Sequence, residues 1–121
     1  MAGSAVSFKG RVTGIEESRV PQVYIITVEG EKHRLKADIH KEFLVFREGE
    51  EVEVVVSRDL PEYREGEDYC GRGHMFSKKD ASKGKVKLLI SLGGFLNVLE
   101  VPRKEAVFDV MDEVYLCIKK S

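Results

Sequence analysis

At 121 residues, 42% of them hydrophobic and 34% charged, the chain is one domain's worth of sequence with enough apolar side chains for a core of its own. Twenty basic and 21 acidic side chains leave a formal net charge of −1, which excludes the basic excess of a protein that holds nucleic acid by phosphate neutralisation alone. The longest apolar run, Leu88 to Leu92 with one Ser inside, is far too short to cross a bilayer, and no apolar segment with a basic start opens the chain. The expected compartment is the cytosol.

Sixteen Val against five Ala favour strands, because β-branched side chains pack best on a pleated surface. Met1 to Ser4 reads as a mobile lead-in. Val6, Phe8 and Val12 beat out a first strand, with Gly10 where a bulge or tight bend is expected. Val23 to Val28 is a second strand, apolar on both sides, and Glu29-Gly30-Glu31 is a hairpin turn with Gly30 free to take positive φ. His33 to Ala37 is a third strand, with Leu35 and Ala37 facing in. From Asp38 to Phe46 the apolar positions Ile39, Phe43 and Phe46 fall four and three apart, which predicts a short helical segment capped by Asp38.

Glu51 to Ser57 alternates Val52, Val54 and Val56 as a fourth strand. Arg58 to Gly73 is read as a long loop, with five acidic side chains between Asp59 and Asp68 and an irregular strand at Tyr69-Cys70-Gly71. Strand character returns at Gly73 to Ser77, and a basic turn spans Lys78 to Gly84. Lys85 to Leu92, Phe95 to Val101 and Asp112 to Lys120 are the last three strands. About eight short strands with turns every 8 to 12 residues and one helical segment after the third predict an all-β fold. The expected architecture is a small antiparallel OB-like barrel, one domain over residues 1–121.

The chain offers little chemistry. Cys70 and Cys117 make no disulfide framework, and two buried reduced thiols are expected. Cys70 and His74 could supply two zinc ligands, but a structural site needs four and the remaining Cys117, His33 and His40 are unpaired in sequence, so no metal is expected. The same Cys70–His74 pair lacks a visible orienting group for nucleophilic catalysis. No phosphate-binding glycine loop is present, and no cofactor is expected. Lys78, Lys79, Lys83, Lys85 and Lys87 form the one basic cluster, which could track a single-stranded backbone if aromatics lay beside it. Tyr24 and Tyr69 are available, whereas alternation sends Phe76 to the core. Gly93-Gly94 admits two compatible readings, a sharp bend or a spot where another backbone comes close.

Two segments carry a resemblance. Ile90-Ser91-Leu92-Gly93-Gly94-Phe95-Leu96-Asn97-Val98-Leu99, then Phe108 to Lys120 ending Val114-Tyr115-Leu116-Cys117-Ile118-Lys119-Lys120, resemble the end of the eighth subunit of RNA polymerase, the small subunit shared by eukaryotic nuclear and some archaeal polymerases. Ser57 to Tyr63 and Asp68 to His74 are similar to its Pro-x-Tyr and aromatic-Cys-Gly-x-Gly segments. The chain lacks the longer acidic insertion of eukaryotic members, which favours the archaeal form, and has Asn97-Val98 where they have Met-Arg.

The resemblance implies an OB-like barrel without chemistry of its own. It would dock as a monomer on the largest polymerase subunit and support assembly and stability, with nucleic acid touched at most through the complex. The residues expected to meet the partner are Gly93, Gly94, Phe95 and Asn97, with Tyr69, Gly71, Arg72 and Gly73 as a second surface. The alternative is an autonomous single-strand-binding OB module.

Overall fold

Residues 5–121 are described by a computed structural model of the chain; the expected lead-in, Met1 to Ser4, lies outside the described residues. Eight strands run in chain order: β1 (Ala5–Glu17), β2 (Val23–Gly30), β3 (Arg34–His40), β4 (Glu51–Ser57), β5 (Tyr69–Asp80), β6 (Lys85–Leu92), β7 (Phe95–Pro102) and β8 (Glu113–Lys120). Every pairing is antiparallel, and the strands close into a barrel in the order β1-β2-β3-β7-β6-β5-β8-β4.

The long β1 makes the closure. Its first half, Ala5 to Arg11, pairs with β4, and its second half, Gly10 to Glu17, pairs with β2 across a bulge between Val12 and Gly14. Strand alternation sends one row of each strand inward: Phe8 and Val12, Val52, Val54 and Val56, Val86, Leu88 and Ile90, and Val114, Leu116 and Ile118 are all buried. Each large aliphatic side chain so buried contributes roughly 1.5–3 kcal/mol. Phe108, from the connection before β8, is fully buried and has the Arg58 guanidinium 5.0 Å above its ring.

Four expectations change. Gly30 ends β2 outside the left-handed region and faces Gly10 in the ladder; the turn is Glu31–Lys32, closed by the Gly30 N–H donating to the His33 carbonyl. The expected helical segment is a single 3-10 turn, Lys41–Phe43, because β3 runs on to His40 and takes Asp38 and Ile39 into the sheet. His40, not Asp38, caps the turn, its Nδ1 accepting from the Glu42 N–H. The irregular strand at Tyr69 and the later run at Gly73 are one strand, β5, which extends through the lysines to Asp80. Phe76 is 58% exposed rather than core, since a bulge places Met75 opposite Ile90 and Ser77 opposite Leu89, so Phe76 is the extra residue and points outward.

The cysteines are the fifth correction. Cys70 and Cys117 stand directly opposite one another in the β5–β8 ladder, Cα atoms 4.0 Å apart, and are joined as a disulfide rather than lying as separate thiols. Forty-seven residues separate them in sequence, and only the register of two distant strands brings them together.

Candidate functional site

The barrel wall is incomplete at one place. β7 pairs with β3 only from Ala37 to Arg34, and β6 pairs with β5 only from His74 to Asp80. Both ladders end before the tip of the β6–β7 hairpin, so the ends of β3 (Asp38 to His40) and β5 (Tyr69 to Gly73) are unpaired on their hairpin sides. The result is a notch of about 450 Å³, floored and walled by Phe43, Val45, Tyr63, Tyr69, Leu92 and Phe95.

The tip is a two-residue turn. Leu92 pairs with Phe95, and Gly93 and Gly94 sit between them at φ +60° and +92°, the left-handed pair that a type I′ turn demands. A Cβ at either glycine would meet, beyond its chain neighbours, no atom of the described residues within 4 Å, so the turn faces open space. Gly73 is different. A Cβ there would lie 1.8 Å from the Ser91 carbonyl oxygen and 2.8 Å from the Leu92 side chain, because β6 crosses tightly over β5 as the two strands part. Leu92 fills the space over both Gly71 and Gly73.

Asn97 lies inside the barrel, fully buried, and faces the core rather than the surface. Its Nδ2 donates to the carbonyls of Phe95 and Ile90, tying the base of the hairpin together. On β3, burial pushes the Asp38 carboxyl up while the Leu96 N–H, donating to it, partly opposes that. Asp38 and Leu96 are next in register after the Ala37–Asn97 pair, just past the end of the β3–β7 ladder. Burial likewise pushes the Tyr69 hydroxyl up, and the Asp38 charge across the notch adds to it. Asp68 closes the near side: its two oxygens accept from the Arg64 and Lys120 N–H groups and pin the acidic loop to the end of β8.

Of the sequence candidates, Tyr69, Gly71, Arg72, Gly93 and Phe95 line this one notch, and what reads in sequence as two surfaces is a single place. Gly94 completes the turn beside it, Gly73 lies under Leu92, and Asn97 is internal. Sequence reasoning misses His40 at the end of β3, Glu42, Phe43 and Val45 from the β3–β4 connection, and Tyr63 and Glu65 from the acidic loop. Phe43, 57% exposed, carries a signal only once its neighbours are known to be strand. Cys70 also lines the notch, but its sulfur is bonded to Cys117, which removes it as a thiolate nucleophile or metal ligand. Among the basic cluster, Lys78 donates to the Phe108 carbonyl and Lys87 pairs with Glu100 at 3.9 Å.

The molecule is a closed eight-stranded antiparallel β-barrel with an apolar notch beside a projecting glycine turn. The family model for the RpbG subunit of DNA-directed RNA polymerase matches residues 5–121. The chain is 30% identical over 117 residues to DNA-directed RNA polymerase subunit Rpo8 of Sulfolobus acidocaldarius, covering 92% of this chain and 94% of that one. It is 29% identical over 119 residues to the Rpo8 subunit of Saccharolobus solfataricus, covering 91% of this chain and 89% of that one. The chain belongs to the RpbG family of DNA-directed RNA polymerase subunits.

Proposed function

We propose that the chain docks as a monomer on the largest subunit of an archaeal multisubunit RNA polymerase, in the cytoplasm, and supports assembly and stability of the enzyme. The observation that carries this reading is the convergence at the notch. The two segments whose sequence resembles the eighth polymerase subunit, Tyr69 to Arg72 and Leu92 to Phe95, are twenty residues apart in the chain and line one cavity. Phe95, half-buried beside the glycine turn, is the anchor, and the open space around Gly93 and Gly94 admits a partner backbone.

The first experiment is a pull-down from native extract with the tagged chain, read by mass spectrometry. Near-equal recovery of the large polymerase subunits is expected. Nucleic acid without polymerase would overturn the reading in favour of the single-strand-binding alternative, which the exposure of Phe76 two residues from Lys78 supports. Gly94→Arg, once circular dichroism has checked that its barrel is intact, is expected to reduce recovery about tenfold or more; recovery equal to wild type would remove the turn from the interface.

A further inference from the structure

The incomplete wall leaves a usable strand edge. Backbone groups alternate along a strand, one residue bonding left and the next bonding right. In β5 the Met75 N–H donates to the Asp112 carbonyl and the Met75 carbonyl accepts from the Met111 N–H, so odd-numbered residues of this strand face β8. Cys70 and Arg72 therefore turn their N–H and C=O groups the other way, towards the side on which the β6 ladder has ended at His74. Both residues line the notch. On the opposite flank the Asp38 carboxyl stands by the Leu96 N–H, and an acidic side chain there blunts the β3 edge. Among the described residues, the unpaired end of β5 lies beside the apolar floor of the notch.

The charges around the notch select the occupant. Glu42 and Glu65 stand exposed on its rim, and neither makes an ion pair among the described residues. The one strong cation, Arg72, is held by Glu113 at 3.1 Å, and Asp68 is occupied by backbone donors. We propose that the partner enters by strand addition. An extended segment of the largest polymerase subunit pairs with the backbone of Cys70 and Arg72, sets an aromatic or large aliphatic side chain against Phe43, Tyr69 and Phe95, and brings Lys or Arg to Glu42 and Glu65. This rests on the reading that the chain assembles with the polymerase, and adds how it is held. Main-chain bonds supply the grip, and the pocket with its acidic rim supplies selectivity.

The test is amide hydrogen exchange on the full chain, free and in the reconstituted polymerase, paired with two variants. In the free chain the amides of Cys70 and Arg72 exchange fast, while those of Gly71 and Gly73, bonded to β8, exchange slowly. On assembly the first two are expected to slow by about a hundredfold. Arg72→Pro removes the outward N–H and leaves the β8 ladder in place, whereas Arg72→Ala removes only the side chain and its Glu113 pair. Arg72→Ala is expected to assemble within about threefold of wild type and Arg72→Pro about tenfold or more weaker. Equal assembly by the two variants, or fast exchange at Cys70 and Arg72 in the assembled enzyme, overturns strand addition while leaving the assembly reading standing. Protection of these amides only in a self-associated form of the isolated chain overturns it in favour of a second copy. Failure of the wild-type chain to enter the polymerase at all removes the assembly reading instead. Should Arg72→Pro not fold, the exchange comparison decides alone.

Discussion

Asp68 shows how much one side chain in a loop can hold. Its residue is buried, and its carboxylate accepts from the backbone of Arg64 and of Lys120, joining the acidic loop to the last strand. Burial by itself pushes this carboxyl up, but the Arg64 and Lys120 donors and the charges of Arg64 and Lys119 outweigh it and hold it below the ordinary carboxylate value. A depressed carboxyl contributes stability that is present above its unfolded value and is lost as pH falls through its folded one. Asp68→Ala strands two donors and is expected to cost about 2 kcal/mol at neutral pH by urea denaturation. The gap between wild type and variant should narrow as pH falls below the ordinary carboxylate value and close only once pH passes the lower folded one. A gap that stayed constant into acid would mean the charge plays no part. In the sequence Asp68 is one of five acidic residues in a solvated-looking stretch; its two donors lie four and 52 residues away, and only the second is beyond local reading.

At the scale of elements, the β6–β7 hairpin and its crossing over β5 define the notch, and two glycines separate the two jobs. Gly94→Ala meets empty space but strains a left-handed residue, and is expected to cost about 1–2 kcal/mol with the barrel retained. Gly73→Ala drives a methyl group into the Ser91 carbonyl and is expected to cost about 3 kcal/mol or more, or to prevent folding. Chemical denaturation of both variants checks the order; equal costs would mean that β6 does not cross β5 so closely. The glycine pair at 93–94 is legible from sequence as a bend, because an I′ turn is a local demand. The demand at Gly73 is not, because it comes from a carbonyl eighteen residues away. The segment from Asp38 to Phe46 fails for a related reason. Ile39 and Phe46 are both buried, but one belongs to β3 and the other to the connection after it, so a helical spacing arises from two elements that share a core.

At the scale of the molecule, barrel closure sets which strands are neighbours, and that fixes the cysteine pair. Linking residues 47 apart restricts the unfolded chain by about 4 kcal/mol on a loop-entropy scale. Thiol titration of the unfolded, unreduced protein is expected to find no free thiol and, after reduction, two; the reduced protein should unfold at a lower denaturant concentration. Two free thiols before reduction would refute the pairing. Closure also explains why a near-neutral charge balance suits this protein. Its distinctive surface is a sheet edge with an apolar floor, which a polypeptide segment can satisfy and a phosphate backbone cannot.

Alternation of apolar side chains is a property of a few consecutive residues, so the sequence by itself determined the all-β class and most strand bounds. Glu51 to Ser57 and Lys85 to Leu92 agree with β4 and β6 residue for residue, and the chain whose segments resemble a polymerase subunit does belong to a family of such subunits. Register between distant strands is a property of the closed barrel, so the tertiary structure alone decided the rest. It opposed Cys70 to Cys117, turned Phe76 outward at a bulge, and brought Tyr69 to Arg72 against Leu92 to Phe95. A shift of one residue in any of those ladders would reverse every side chain along it, and no local pattern records which shift the closed barrel selects.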